Sequence, residues 1–493
     1  MPDTTNGKRF MLEKKRRKLM SLDSLFYPKS VAVVGASSNL GGGKMPYFQI
    51  IRGGGFDGPV YPVNPKGGEI DGVAVCKSID ELPEPVDFAI VAAPVEQSID
   101  IVRAAVRKKI KFLHFFTSGF SETGNRQLEE DLIREARLGN LRIVGPNCVG
   151  VHCTASKISF VFTSPQESPG TVAFLGQSGG VTANFMAMAS TRKIPINKVV
   201  SYGNQIDLRL EDYLDYLADD AEVRLIACYV EDIKDVNAFL KTLRRTTQKK
   251  PVILLKGGKT DIGAKAAASH TGAMASNYTI WAAAARQHGA VLVDDFDQLM
   301  QLVMLGTARK YPRGKRVGFL GAGGGVSVLF SDLAAQSGLM LPELSAESQR
   351  MISEKIMGVN TSTTNPVDLG AFGFDLNVML HTMKAMDADD NIDIIVPYFS
   401  VEYILHAELF LRVKNSADTI LEMARQIKKP VIPILANFVE DNLDYERVRI
   451  ETYAALRKAG FPVYTRIQDV IYAIGLYFKW IRRQPSPEAR HAA

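Results

Sequence analysis

The sequence predicts an α/β protein built from doubly wound parallel sheets, and three observations carry that expectation. Three times the chain runs an apolar, β-rich stretch into glycines and small polar residues and then into a helical pattern. Between these units short apolar runs alternate with helical segments, as in sheets covered by helices on both faces. Two long stretches of the chain also match each other from end to end.

The first unit is Val31-Ala-Val-Val-Gly35-Ala-Ser-Ser. The second is Val172-Ala-Phe-Leu-Gly176-Gln-Ser-Gly-Gly-Val-Thr, and the third Val317-Gly-Phe-Leu-Gly321-Ala-Gly-Gly-Gly-Val-Ser. Each reads as a parallel strand that delivers an anion to a helix N-terminus, where backbone N–H groups and the helix dipole favour negative charge. Further buried strands are expected at Phe88–Ala92, Phe112–Phe116, Leu225–Tyr229 and Val252–Lys256.

The second and third units head two copies of one domain. Phe174-Leu-Gly-Gln-Ser-Gly-Gly-Val matches Phe319-Leu-Gly-Ala-Gly-Gly-Gly-Val, and Leu225-Ile-Ala-Cys-Tyr-Val-Glu231 matches Ile394-Ile-Val-Pro-Tyr-Phe-Ser400. Lys250-Pro-Val-Ile matches Lys429-Pro-Val-Ile, and Gly289-Ala-Val-Leu-Val matches Gly460-Phe-Pro-Val-Tyr. The copies part where chemistry is expected. Glu231 in the first stands where the second has Ser400. Gly257-Gly-Lys-Thr-Asp-Ile-Gly263, leading to Ser269-His-Thr-Gly-Ala273, stands where the second has Asn437-Phe-Val-Glu-Asp. Two sheets of one plan need one kind of core, so core demands do not explain an insertion in only one of them.

Composition bounds the function. With 493 residues, 46% hydrophobic and 23% charged, the chain has the makings of about three globular domains. Its net charge is +6, but residues 1–21 hold seven Lys/Arg against Asp3 and Glu13, which leaves the body near neutral. That excludes a broad nucleic-acid-binding surface and marks 1–21 as a basic, solvated arm. No apolar run has the length of a membrane-spanning helix. Cys76, Cys148, Cys153 and Cys228 form no CxxC pair, and Cys148, His152 and Cys153 lack a fourth ligand for zinc. A reducing, cytoplasmic setting follows.

In the first unit the glycine pattern Gly35-Ala-Ser-Ser-Asn-Leu-Gly41 departs from GxGxxG. The next strand, Val60-Tyr-Pro-Val, ends in Asn64-Pro-Lys66 rather than the acidic residue that grips an NAD ribose. Lys66 suits a phosphate on an adenosine, so coenzyme A fits this unit better than a nicotinamide cofactor.

From residue 22 to about 475 the chain resembles the alpha subunit of ADP-forming acetyl-CoA synthetases, and more distantly that of succinyl-CoA synthetase. The resemblance is carried, in order, by Pro28-Lys-Ser-Val-Ala-Val-Val-Gly35-Ala-Ser, Val63-Asn-Pro-Lys66, Ser118-Gly-Phe-Ser-Glu122 and Gly145-Pro-Asn-Cys-Val-Gly150. Gln177-Ser-Gly-Gly180, Gly203-Asn204 with Asp207, and Ala268-Ser-His-Thr-Gly-Ala273 complete it. It implies a Rossmann-like CoA-binding domain over 22–150, then two flavodoxin-like doubly wound domains. The first of these, 151–312, would be the ligase domain with a phosphohistidine loop. The second, 313–480, would be its diverged copy, followed by a tail at 481–493.

The resemblance also implies roles. Gly35, Ala36, Ser37, Asn64, Pro65 and Lys66 would line the CoA site, with Pro94, Ser118 and Gly119 near the pantetheine. Asn147 would face the centre where acyl group, phosphate and thiol meet. Gln177, Ser178, Gly179 and Gly180 would hold the phosphoryl group. His270 would be the phosphorylated nucleophile and Glu231 its carboxylate partner. Elementary chemistry supports the last pair, because histidine accepts a phosphoryl group only through an unprotonated nitrogen. A carboxylate on the other nitrogen fixes that tautomer and stabilises the cation formed on attack. The six other histidines, 114, 152, 288, 381, 406 and 491, lack such a setting.

The reaction so implied interconverts acyl-CoA, phosphate and nucleoside diphosphate with carboxylic acid, CoA and nucleoside triphosphate. No ATP-grasp segment is evident, so ATP or ADP with Mg2+ is expected on a separate ATP-grasp beta subunit, in an α2β2 assembly. Two alternatives are a catalytically inactive CoA-binding regulatory or scaffold protein and a dehydrogenase. His270 with Glu231 speaks against the first, and Asn64-Pro-Lys66 against the second.

Overall fold

A computed structural model describes residues 21–39, 45–83, 85–161, 169–265, 277–356, 358–410, 415–439 and 441–481. They fall into two compact units. One comprises the chain to Ser190 with Pro195–Asp294, the other Thr191–Ile194 with the chain from Asp295.

In the first unit the strands are β1 (Val31–Val34), β2 (Val60–Val63), a short ribbon of β3 (Glu69–Ile70) and β4 (Val73–Ala74), β5 (Phe88–Val91), β6 (Phe112–Phe115) and β7 (Arg142–Val144). The main sheet runs β2-β1-β5-β6-β7 and is parallel throughout. β1, β5, β6 and β7 are buried at every residue, which is why the sequence shows apolar runs here and not alternation. The helix Ser98–Arg107 lays Ile101, Val102, Ala104 and Ala105 on the sheet, while Arg103 and Arg107 reach outward to Glu135 and Asp80. Asn125 caps the following helix, Arg126–Arg137, by accepting the Leu128 N–H.

A second sheet follows with β8 (Val151–Cys153), β9 (Val172–Gly176), β10 (Ile196–Ser201), β11 (Leu225–Val230), β12 (Val252–Lys256) and β13 (Val291–Val293). Its order is β13-β12-β11-β9-β10-β8, and only the edge strand β8 runs antiparallel. The chain enters at the central β9, steps out to β10 and returns to β11 on the other side. The reversal opens a crevice between β9 and β11 at their carboxyl ends, where ligands of open α/β sheets bind.

The second unit repeats this plan in β14 (Val317–Gly321), β15 (Val367–Asp368), β16 (Ile394–Ser400) and β17 (Ile434–Ala436), ordered β15-β14-β16-β17. Tyr464 bridges in parallel to Ile434 beyond the edge. The strand register reproduces the sequence repeat. Val172 faces Leu225 as Val317 faces Ile394; Ile226 faces Val252 as Ile395 faces Val431; Leu255 faces Val293 as Ile434 faces Tyr464. Even the packing under the glycine turn recurs, with Phe174 stacked on Phe185 at 3.9 Å and Phe319 on Phe330 at 4.0 Å. The helix Phe296–Leu305 belongs to this second unit. Its Gln301 carbonyl accepts the Tyr464 hydroxyl at 2.9 Å, and its Gln298 side chain accepts that of Tyr472.

Within the first unit the two sheets are joined by a buried ion pair. Arg142 of β7 donates to Asp207 at 2.9 Å with both side chains about 6% exposed, and Asp207 also accepts the Ile143 N–H at 2.9 Å. Removing one partner strands a charge in a dry setting. Asp207→Ala is therefore expected to cost the first unit about 3 kcal/mol or more, to be read as a shift of its chemical denaturation midpoint.

Candidate functional site

The crevice of the first sheet lies where β1 and β5 end side by side. Gly35 follows β1 with φ +89°, and a Cβ there would stand 2.4 Å from the Ala92 carbonyl oxygen, so only glycine fits the turn. Its N–H donates to the Val63 carbonyl at 2.8 Å. Asn64 reaches across from the end of β2, its side-chain amide donating to the Ala36 carbonyl at 2.8 Å and its Oδ1 accepting the Lys66 N–H at 3.1 Å. Pro65 and Lys66 project from this turn and are exposed. Ser37 closes a tight turn with Asn39, accepting its N–H at 3.1 Å. The exposed Pro94 and Ser118 flank a close approach in which Gly119, at φ +108°, packs against Val95; a Cβ there would stand 3.3 Å from its side chain. The nine CoA-site residues named from the sequence are thus gathered along the carboxyl ends of β1, β2, β5 and β6.

One loop carries this crevice to the second sheet. Residues 145–150 leave β7, and Asn147, in the left-handed region at φ 58°, donates its N–H to the Thr117 carbonyl at 3.1 Å. Gly203 sits so close that a Cβ would stand 2.1 Å from the Pro146 carbonyl oxygen. The neighbouring Asn204 N–H donates to that oxygen at 3.0 Å. The Asn204 side-chain amide donates to Glu122 at 2.6 Å and to Glu129 at 2.8 Å, while Glu122 accepts the Gly119 N–H at 2.7 Å. The Ser118-Gly119 turn is therefore tied to the second sheet through charge-assisted bonds. Val149 lies against Gly179, where a Cβ would stand 3.2 Å from its side chain, and it accepts the Tyr47 hydroxyl at 3.0 Å.

Past β9 the chain turns at Gln177-Ser178 into the helix Gly179–Thr191, whose N-terminus opens at the β9–β11 crevice. Gln177 is buried, donates its N–H to the Tyr229 carbonyl at 3.1 Å, and accepts the N–H groups of Glu231 and Asp232 at 2.8 and 2.9 Å. The Gln177 N–H and Oε1 thus brace the strand end from Tyr229 to Asp232, while Ser178, Gly179 and Gly180 bring the first backbone N–H groups of the helix to the crevice. Glu231, half-buried, follows β11 directly. The Tyr229 hydroxyl bonds to its carboxylate, and burial together with that carboxylate pushes the Tyr229 phenol well up. A Cβ at Gly257 would stand 2.6 Å from the Tyr229 hydroxyl and 3.3 Å from the Glu231 side chain. Glycine at 257 is what lets strand end and carboxylate meet.

His270 lies outside the described residues. Both approaches to it are anchored. Lys259 donates to the Val293 and Asp294 carbonyls at 3.2 and 2.7 Å, and Asn277 caps the helix Tyr278–Gln287 through the Thr279 and Ile280 N–H groups. His114 and His152 are buried side chains that burial holds down to about 4, with Nε2 of His114 bonded to the Cys148 carbonyl at 2.8 Å and His152 between Ser159 and Thr154. The four cysteines are free. Among the described residues no group of three His, Cys, Asp or Glu side chains is placed to hold a metal ion, and no helix is long and apolar enough to cross a membrane.

The second copy shows how a sheet of this plan looks without the chemistry. At the start of the helix Gly324–Gln336 the Gly323 N–H is already bonded at 2.9 Å to the carboxylate of Asp368, which pairs with Gly321 as Ser201 pairs with Gly176 in the first copy. Glu402 accepts the Phe438 and Val439 N–H groups at 2.6 and 3.0 Å. An internal carboxylate thus occupies the helix terminus of the second copy. Lys256 is a residue that reasoning from the sequence missed. It ends β12 beside Glu231, and the signal lay in the repeat, where Val252-Ile-Leu-Leu-Lys matches Val431-Ile-Pro-Ile-Leu.

A dinucleotide-type crevice joined by one loop to a helix-terminus cradle beside a carboxylate defines the CoA-ligase class of α/β proteins. Residues 29–154 match the CoA binding domain family, and residues 169–305 match the succinyl-CoA ligase like flavodoxin domain family. The chain is 33% identical over 468 residues to the alpha subunit of the ADP-forming acetate–CoA ligase II of Pyrococcus furiosus, covering 92% of this chain and 96% of that one. It is 32% identical over 348 residues to the ADP-forming acetate–CoA ligase of Methanocaldococcus jannaschii, covering 71% of this chain and 49% of that longer protein. The dinucleotide-forming acetyl-coenzyme A synthetase 1 of Ca. Korarchaeum cryptofilum, solved with phosphate and ADP, superposes with a TM-score of 0.81 at 26% identity. That match covers 94% of this chain and 97% of the other. The chain belongs to the family of ADP-forming acetate–CoA ligase alpha subunits.

Close to Tyr202, whose hydroxyl donates to the Tyr229 carbonyl at 3.2 Å, burial pushes the Glu211 carboxyl up to about 7, and the charge of Asp212 adds to the push. A carboxyl raised in the folded state favours folding while protonated. Its contribution is complete below the ordinary value of 4.5 and is lost as pH rises through about 7. Glu211→Gln, neutral at every pH, should melt higher than the parent above pH 7 and no higher below pH 4.5, checked by thermal melts across that window.

Proposed function

We propose that the chain is the CoA- and phosphate-handling subunit of an ADP-forming acyl-CoA ligase, interconverting acyl-CoA, phosphate and ADP with carboxylic acid, CoA and ATP. The observation that carries this reading is the N-terminus of the helix Gly179–Thr191 beside Glu231, linked through the loop 145–150 to the crevice at Gly35 and Asn64.

In the first step a phosphate oxygen attacks the thioester carbonyl, the C–S bond breaks, and CoA leaves as the thiolate. In the second, a ring nitrogen of His270 attacks phosphorus of the acyl phosphate and the carboxylate leaves. In the third, the phosphoryl group passes from His270 to ADP. Ser178, Gly179 and Gly180 supply oriented N–H donors where phosphate charge concentrates, and Gln177 braces the Glu231 turn. The Glu231 carboxylate accepts the proton-bearing nitrogen of His270, so that the attacking nitrogen is the free one. Asn147 and the Ser118-Gly119 turn stand at the meeting point of thiol, acyl group and phosphate. Lys66, exposed at the mouth of the first crevice, meets a phosphate of the CoA nucleotide end. Nucleotide and Mg2+ belong to an ATP-grasp beta subunit, with α2β2 as the expected assembly in the cytoplasm. The relative from Methanocaldococcus jannaschii, about twice as long as its match to this chain, supports a second half of that kind.

Incubation with acetyl-CoA and radiolabelled phosphate should place an acid-labile, base-stable label on the chain. His270→Ala should abolish the label while calorimetry shows CoA still bound. Glu231→Gln keeps the shape and loses the charge, and should slow labelling about a hundredfold, as loss of an electrostatic stabiliser does. A label that survives acid, or persists in His270→Ala, would place the phosphate elsewhere. In calorimetry Lys66→Glu should weaken CoA binding with the melting temperature unchanged, and preference for NAD over CoA would overturn the first crevice's assignment.

A further inference from the structure

Lys256 is a cation where the fold asks for none. It is the last residue of β12 and 6% exposed, in register with Val230. In the second copy the same place, in register with Phe399, is taken by a fully buried leucine, Leu435. The sheet therefore accommodates an apolar side chain here, and burying an ammonium in its stead costs desolvation that packing does not return. The Lys256 ammonium donates to the carbonyl of Glu231 at 2.8 Å and to that of Gly257, and lies 5.9 Å from the centre of the Trp281 ring. It thereby closes a loop of bonds around one residue. Gln177 holds the Glu231 N–H from β9, Tyr229 holds its carboxylate from β11, and Lys256 holds its carbonyl from β12. The counterparts of Gln177, Glu231, Lys256 and Trp281 in the second copy are Ala322, Ser400, Leu435 and Thr452, so these four are absent together, while Tyr229 is kept as Tyr398.

We propose that Lys256 is a positioning residue for Glu231, clamping the ends of β11 and β12 and supplying the positive charge that keeps that carboxylate ionised. The inference rests on the reading of Glu231 as the working carboxylate. Among the described residues the charged and titratable groups around it are the Tyr229 phenol on its own strand, Asp232 in the next position, the Tyr202 phenol beyond β10, and Lys256 itself; the proposed function adds His270. Of the described groups Lys256 is the cation, so removing it raises the pH at which Glu231 takes up a proton.

The test is Lys256→Leu, the residue the second copy uses, with Lys256→Met as a straight-chain alternative should leucine impair folding. Labelling of the full chain from acetyl-CoA and radiolabelled phosphate is followed against acetyl-CoA concentration and pH. The maximal rate should fall about a hundredfold, the cost of misplacing a reacting group by about 1 Å. The acid limb of the rate should move to higher pH, while the half-saturating acetyl-CoA concentration and the melting temperature stay as in the parent. An unchanged rate and acid limb would overturn the proposal. So would a rate loss that comes with weaker acetyl-CoA saturation and a lower melting temperature, because that marks a packing role. Glu231→Gln run alongside separates the two readings. If it labels like the parent, the assignment of Glu231 fails; if it is slow while Lys256→Leu is not, only the clamp fails.

Discussion

The first unit depends on the buried contact of Arg142 with Asp207. Each sheet on its own ends in loops of small residues that have little to hold them, since glycine and asparagine bury almost no surface. The guanidinium–carboxylate pair joins the strand before the loop 145–150 to the segment after Gly203-Asn204, so both loops leave from fixed points. From there the close approach of Gly203 to Pro146 and the Asn204–Glu122 bond set the spacing between the two crevices. A paired charge in a dry setting has one satisfactory geometry, which an apolar contact would not impose. The proposed transfer of an acyl group and a phosphate between the two sheets needs that fixed spacing.

The repeat separates what the sheet needs from what the reaction needs. Both copies keep the apolar strands, the stacked phenylalanines under the turn and the β-strand order. They differ at the carboxyl ends of the strands. In the first copy those ends carry Gln177, Glu231 and Lys256 beside a helix N-terminus. In the second, Asp368 and Glu402 satisfy the same kind of backbone donors from within the chain. A helix N-terminus is an anion site only until an internal carboxylate reaches it.

The fold was legible because parallel strands buried on both faces are mostly apolar along their length, and because β1, β9 and β14 each run into a glycine, at 35, 176 and 321. Phe88–Val91, Phe112–Phe115, Leu225–Val230 and Val252–Lys256 lie within a residue of where those runs place them. The pairing of the copies was legible too, down to the register of Leu255 with Val293 and Ile434 with Tyr464. The bracing of the site was not. Gln177 stood among the phosphate-binding residues in the sequence, and the structure adds a brace, its Oε1 accepting the Glu231 and Asp232 N–H groups. Its partners lie more than fifty residues away, and no periodicity reports a bond between two strand ends.

By itself the sequence determined the class of fold, the repeat, the family and the motifs along the crevices, because these follow from local backbone demands and from runs of side-chain type. Only the tertiary structure decided which groups are free to act. It set Lys256 under the Glu231 carbonyl, closed the second copy's helix terminus with Asp368, and raised Glu211 by burial. Hydrogen-bond commitment and desolvation depend on what crosses from neighbouring strands, and that is fixed by the packed sheet and not by the order of residues along the chain.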